Sequence, residues 1–128
     1  MSTETTNPLD ALSMKILKSD KSILSLTIND DRGEVVGRAF SSAYKKKYLD
    51  LAKELRNRAG LFSALIFGIS TEPEKIFGET KAVVRIYADV KLVLIPFPSR
   101  KMMTTLLTKK TTDVDLLVKK IRPLLKES

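Results

Sequence analysis

The spacing of apolar residues along this chain changes period several times, and each change marks an element. Residues 1–7 are polar with nothing to bury, which predicts a mobile tail ahead of a single domain over residues 8–126. Asn7 before Pro8 is a good helix start, because Asn accepts from a free backbone N–H and Pro fits the first turn. Leu9, Leu12 and Ile16 then recur at helical spacing, predicting a short amphipathic helix to about Ser19. In ILSLTIND the period drops to two: Leu24, Leu26 and Ile28 alternate with Ser25 and Thr27. Asn29, Asp30, Asp31 and Gly33 supply turn chemistry before the β-rich stretch Glu34 to Phe40, so residues 23–40 read as a hairpin.

The strongest helical signal follows. Tyr44, Tyr48, Leu51, Leu55, Ala59, Phe62 and Ile66 step by threes and fours. Lys45, Lys46, Lys47, Lys53 and Arg56 avoid that stripe and place positive charge opposite it. From Leu61 to Ile69 almost no polar face is left, which predicts burial all round or contact with a second chain. Phe62, Leu65, Ile66 and Ile69 can face a sheet while Leu61, Ala64 and Phe67 remain for a partner. Glu72-Pro73-Glu74 opens a short helical turn carrying Ile76 and Phe77, and Gly78 ends it.

Three β-rich runs close the pattern: KAVVRIYAD, VKLVLIPFP and MMTTLLTKK. The connections at Ala88-Asp89 and Pro98-Ser99-Arg100 are short enough to require antiparallel neighbours. Pro96 cannot donate to a ladder and marks a strand end or bulge. Thr112 or Asp113 caps a last helix with an apolar stripe of Val114, Leu117, Val118, Ile121, Leu124 and Leu125, in which Pro123 is expected to kink or fray the final turn. The order is α-β-β-α-β-β-β-α. Strands apolar on both faces favour helices on both sides of a five-stranded antiparallel sheet, a three-layer α/β (α+β) arrangement.

Composition narrows the chemistry. The chain has no Cys and no His, which removes disulfides, thiolate nucleophiles, His-based triads and most transition-metal sites. No phosphate-cradling glycine motif is present, so nucleotide binding has no support. Asn29-Asp30-Asp31 could attract a divalent cation, but the spacing of a calcium loop is missing and a hairpin turn explains it. Ser99-Arg100-Lys101 could grip a phosphate, but no glycine-rich loop opens a helix there. The expectation is a protein that is not an enzyme, with no catalytic residue, cofactor or metal. The N-terminus lacks a basic start and an apolar run, and no stretch approaches the ~20 apolar residues of a span, so a cytoplasmic location is expected.

The formal net charge is +8. Residues 41–60 hold six basic and two acidic side chains, and residues 100–128 hold eight and three. Two basic stretches of this kind can meet nucleic acid or an acidic protein surface. Lys45, Lys46 and Lys47, with Lys53 and Arg56, are the candidate contacts, and Lys109-Lys110 and Lys119-Lys120 are weaker echoes. Weak, salt-sensitive nucleic-acid binding is the alternative function. Aromatics for base stacking are scarce, and Tyr44 and Tyr48 lie on the apolar stripe.

The run FGETKAVVRIYADVKLVLIPFPSRKMMTTLLTKK, followed by DVDLLVKKI, resembles the roadblock (dynein light-chain) family and its profilin-like relatives, and within them small archaeal roadblock-like proteins. A strand, a tight turn, a second strand ending in Pro-x-Pro, a third strand and an amphipathic helix follow there without spare residues. The resemblance implies a non-enzymatic scaffold that pairs through its central helix and adjacent strand, continuing one sheet across two subunits. It also implies an adaptor or regulatory role toward small GTPases or signalling assemblies. The matching elements are Tyr44 to Ile69 and Ala82 to Tyr87. The candidate homodimer interface is therefore Leu61, Ala64, Leu65 and Phe67 together with Val84 and Ile86.

Replacing Lys45, Lys46 and Lys47 together by Glu lowers the net charge from +8 to +2, since each swap removes one positive charge and adds one negative. The folded fraction should be unchanged, because exposed charges usually contribute within ~0.5 kcal/mol each. Association with an acidic partner should slow more than dissociation speeds, read by stopped-flow or surface-capture kinetics. An unfolded triple variant would place the lysines inside.

Overall fold

A computed structural model of the chain describes residues 7–41, 71–99 and 101–126. The elements in chain order are α1 (Pro8–Ser19), β1 (Ile23–Asp30), β2 (Val35–Phe40), α2 (Thr71–Phe77), β3 (Val83–Ile86), β4 (Val90–Pro96), β5 (Met102–Lys109) and α3 (Val114–Lys126). The strands form one sheet in the order β2-β1-β5-β4-β3, with every neighbour antiparallel. The sequence predicts each of these elements. The central helix expected over 44–69 lies outside the described residues.

Side-chain alternation sorts the sheet into two faces. Leu26 pairs with Leu106 and Leu106 with Val93, so a row of apolar side chains crosses β1, β5 and β4 on one face. Ile28 and Ile95 continue it, and all five are at most 1% exposed. The two longest described helices, α1 and α3, cover this face. Ile16 of α1 and Leu117, Val118, Ile121 and Leu125 of α3 join the same buried cluster. Residues one step along each strand point the other way, and Leu92, Leu94, Met103 and Leu107 form a second buried cluster with Val83 and Val90 against it. That is why VKLVLIP is apolar at nearly every position: β4 is central enough to bury both of its faces.

Local chemistry fixes the ends of the elements. The Asn7 side chain accepts from Leu9 N–H at 2.9 Å, capping α1, and Pro8 occupies the first turn. At the β1–β2 turn the Asp30 carboxylate accepts from the N–H groups of Arg32 and Glu34, both at 2.9 Å. Gly33 there has φ 86°, a conformation that L side chains rarely adopt. Asn29 is fully buried and donates to the Gly33 carbonyl at 3.2 Å. The Asn29-Asp30-Asp31 cluster is thus built into a turn, as its composition suggests. Asp113 caps α3 by accepting from Leu116 N–H.

The fraying half of one expectation is corrected: Pro123 does not fray α3, which continues as helix to Lys126. The carbonyl that loses its donor belongs to Lys119, four residues back, and both residues are exposed, so water can satisfy it.

The two helices are also tied by charge. Lys120 of α3 reaches the Asp20 carboxylate at 3.1 Å, just past the end of α1. Partial burial pushes the Asp20 carboxyl up, but hydrogen bonds from Ser22 and Lys120 outweigh that and hold it below the usual carboxylate value. A carboxyl lowered by folding stabilises the native state above its unfolded pKa, and the gain disappears as pH falls through the carboxylate range. Asp20→Asn should therefore lose less stability than wild type between about pH 6 and pH 3, by under about 1 kcal/mol for so accessible a pair. Urea unfolding at the two pH values checks this, and identical slopes would remove the contribution.

Candidate interaction surface

A five-stranded open sheet has two margins, and here they differ. The β2 margin lies beneath the first turn of α1. Ser41 N–H donates inward to Leu24 at 2.9 Å, so by alternation Ala39 and Gly37 also direct their backbone groups toward β1 while Arg38 directs its own outward. The outward Arg38 N–H donates to the Asp10 carboxylate at 3.1 Å, and the Val36 carbonyl accepts from the Asn7 amide at 3.1 Å. A polar cleft of about 480 Å³ opens beside these groups, lined in part by Asn7, Asp10, Glu34 and Arg38. Asn7 and Asp10 already serve the strand backbone, which gives the polarity of the cleft a structural cause.

The β3 margin is built differently. Tyr87 N–H closes the tight turn onto the Val90 carbonyl at 2.9 Å, which makes 87/90 a hydrogen-bonded pair. Stepping back by two, Arg85 faces Leu92 and Val83 faces Leu94 with their backbone groups turned inward. The N–H and C=O groups of Val84 and Ile86 consequently point away from the sheet, where no strand pairs with them among the described residues. Their side chains share the face that α1 and α3 cover elsewhere, yet Val84 is 39% exposed and Ile86 74%. Tyr87, at the strand's end, is 45% exposed. A β-branched, exposed edge with free backbone groups is a template for another strand.

The segment before β3 adds to this apolar character. Ile76 and Phe77 at the end of α2 are about four-fifths exposed, at 78% and 83%. The Glu74 carboxylate accepts from Thr80 N–H and so ties α2 to the connection leading into β3. Glu79 in that connection pairs with Arg122 of α3, anchoring the entry to β3 against the helix layer.

Of the residues singled out from sequence, Val84 and Ile86 are brought together on one face of the edge strand. Leu61, Ala64, Leu65 and Phe67, and the basic group Lys45, Lys46, Lys47, Lys53 and Arg56, lie outside the described residues. The exposure of Ile76, Phe77 and Tyr87 was missed, although a short helix ending in adjacent large apolar residues was the available signal. The second role of Asn7 and Asp10, at the β2 margin, carries no local signal, because both residues read fully as ordinary first-turn helix chemistry. Among the described residues no cluster of three metal-ligating side chains occurs, and no helix is long and apolar enough to cross a membrane.

No protein-family model matches the sequence, and no curated protein matches it either. Solved structures do match. A Roadblock/LC7 domain from Streptomyces avermitilis superimposes with a TM-score of 0.69 at 16% identity, covering 93% of this chain and 92% of that one. MglB from Myxococcus xanthus gives a TM-score of 0.69 at 17% identity over 99% and 91% of the two chains. A profilin, LokiProfilin1 in complex with rabbit actin, is more distant, with a TM-score of 0.54 at 8% identity over 98% and 96%. At these identities the likeness speaks to backbone architecture, and what it establishes is that this chain has the roadblock/profilin-like α+β fold.

Proposed function

We propose that the chain is a homodimeric, non-enzymatic adaptor, a regulatory scaffold that presents surfaces to a small GTPase or another member of a signalling assembly and needs no cofactor. The observation that carries this reading is the difference between the two sheet margins. One is occupied by the chain's own helix, and the other offers Val84 and Ile86 with outward backbone groups. Two β3 strands meeting around a two-fold axis satisfy those groups and remove the exposed edge at once.

The register follows from charge. Pairing Val84 of one copy opposite Ile86 of the other would set Arg85 directly against its own copy, and like charges opposite one another are destabilising. Pairing centred on Val84 sets Arg85 opposite Val83 instead, with the two Val84 residues exchanging backbone bonds and Ile86 facing Ala82 of the other copy. Leu61, Ala64, Leu65 and Phe67 belong to the same proposed interface on the strength of the sequence pattern alone. The adaptor role toward a GTPase rests on the resemblance of fold and sequence pattern. Among solved structures of this fold, MglB from Thermus thermophilus is described as a gliding protein, and another MglB structure as a tetrameric arrangement.

Val84→Pro removes an outward N–H without touching the bonds to β4, and Ile86→Lys adds a charge to an exposed edge side chain. Each should leave the thermal midpoint within a few degrees of wild type and raise the dimer dissociation constant at least about tenfold, equivalent to 1.4 kcal/mol. Sedimentation equilibrium reads this, and a wild-type chain that stays monomeric at high concentration would refute the pairing. The adaptor role is tested by nucleotide-loaded affinity capture: retention of a small GTPase in one nucleotide state supports it, and equal recovery in both states contradicts it.

A further inference from the structure

We infer that the first turn of α1 is a stopper on the β2 margin, which directs sheet extension to β3 and limits self-assembly to a closed pair. This rests on the pairing proposed above but concerns the opposite side of the sheet. A sheet with both margins open can pair β2 of one copy with β3 of the next. Such a contact is head-to-tail and does not close, so it propagates into filaments.

The stopper imitates a neighbouring strand. An added strand would offer donors to the outward carbonyls of β2 and acceptors to its outward N–H groups. Asn7 supplies the donor, to the Val36 carbonyl, and Asp10 the acceptor, for Arg38 N–H. The two side chains are three residues apart in the first helical turn, so they project to the same side and reach strand positions two apart. Asn7 is held in place twice over. Its side-chain oxygen accepts the capping bond from Leu9 N–H, and this leaves its NH₂ turned to β2.

Gly37, between the two bonded positions, is what lets the helix lie so close. A Cβ there would sit 2.8 Å from the Leu9 carbonyl oxygen and 3.0 Å from the Leu9 Cβ. Backbone is the nearest obstacle, so the contact cannot be relieved by a rotamer change. Among the described residues β3 has no such cover: its outward residue Ile86 is 74% exposed.

The test is the double variant Asn7→Ser, Asp10→Ala in the full chain. Serine keeps the acceptor that caps α1 and loses the donor to Val36, and alanine suits the helix while losing the acceptor for Arg38. Sedimentation velocity over a hundredfold concentration range should show wild type stopping at a dimer. The double variant, with an unchanged far-ultraviolet spectrum, should populate species larger than a dimer in a fraction that rises with concentration. Adding Val84→Pro should remove those larger species and leave pairs joined through β2 alone. Gly37→Ala, which displaces the helix while keeping both side chains, should reproduce the larger species if it folds. If wild type proves monomeric, the β3 pairing is wrong, and the stopper still predicts that the double variant self-associates in a way insensitive to Val84→Pro. A folded double variant with the wild-type mass at every concentration overturns the inference.

Discussion

Every open sheet must satisfy the outward backbone groups of its two outermost strands, and here that constraint organises both the fold and its proposed use. Buried or half-buried N–H and C=O groups left without partners cost free energy comparable to a lost hydrogen bond, and exposed ones invite another chain. At β2 the chain answers with its own helix: Asn7 and Asp10 bond to Val36 and Arg38 at 3.1 Å each. At β3 it answers with brevity, a strand of four residues, and leaves Val84 and Ile86 outward. The same helix that closes one margin also buries Ile16 against the sheet, so edge protection and core packing depend on one another.

The core also fixes where the β3 margin sits. β4 is buried along almost its whole length and holds β3 in register from Val83/Leu94 to Ile86/Lys91. On the helix side, Lys91 reaches across to donate to the Thr112 carbonyl at 2.8 Å, and Arg122 holds Glu79 at the other end of the edge strand. Arg122 thereby anchors the entry to β3, and among the described residues no strand pairs with its outer side. A strand positioned this way loses little further entropy on pairing, which is what pre-organisation contributes to association.

Much of this was legible in the sequence, for identifiable reasons. Period-two alternation in ILSLTIND and continuous apolarity in VKLVLIP report a strand's place in a sheet directly, because one or both faces must be dry. Asn7-Pro8, Asp30 with Gly33, and Asp113 carry their geometry in local chemistry. The hairpin and the closing meander were legible, but not the β1–β5 pairing that joins them, a long-range contact that no short pattern encodes. Fraying at Pro123 did not follow, because the penalty of proline in a helix depends on whether the orphaned carbonyl can reach water. At the candidate site, Val84 and Ile86 followed from the resemblance and not from periodicity. The interlock of Asn7 and Asp10 with β2, and the need for glycine at position 37, arise only when α1 is laid on the strand.

Amide hydrogen exchange at three positions tests the asymmetry of the margins most directly. The Arg38 amide, bonded to Asp10, should be protected equally at every protein concentration, because its partner lies in the same chain. The Val84 and Ile86 amides should exchange quickly in dilute solution and become protected, by about the same factor, as concentration rises through the dimer range. Fast exchange at Val84 and Ile86 at all concentrations, or an Arg38 amide no better protected than they are, would contradict a sheet closed at β2 and completed by a second copy at β3.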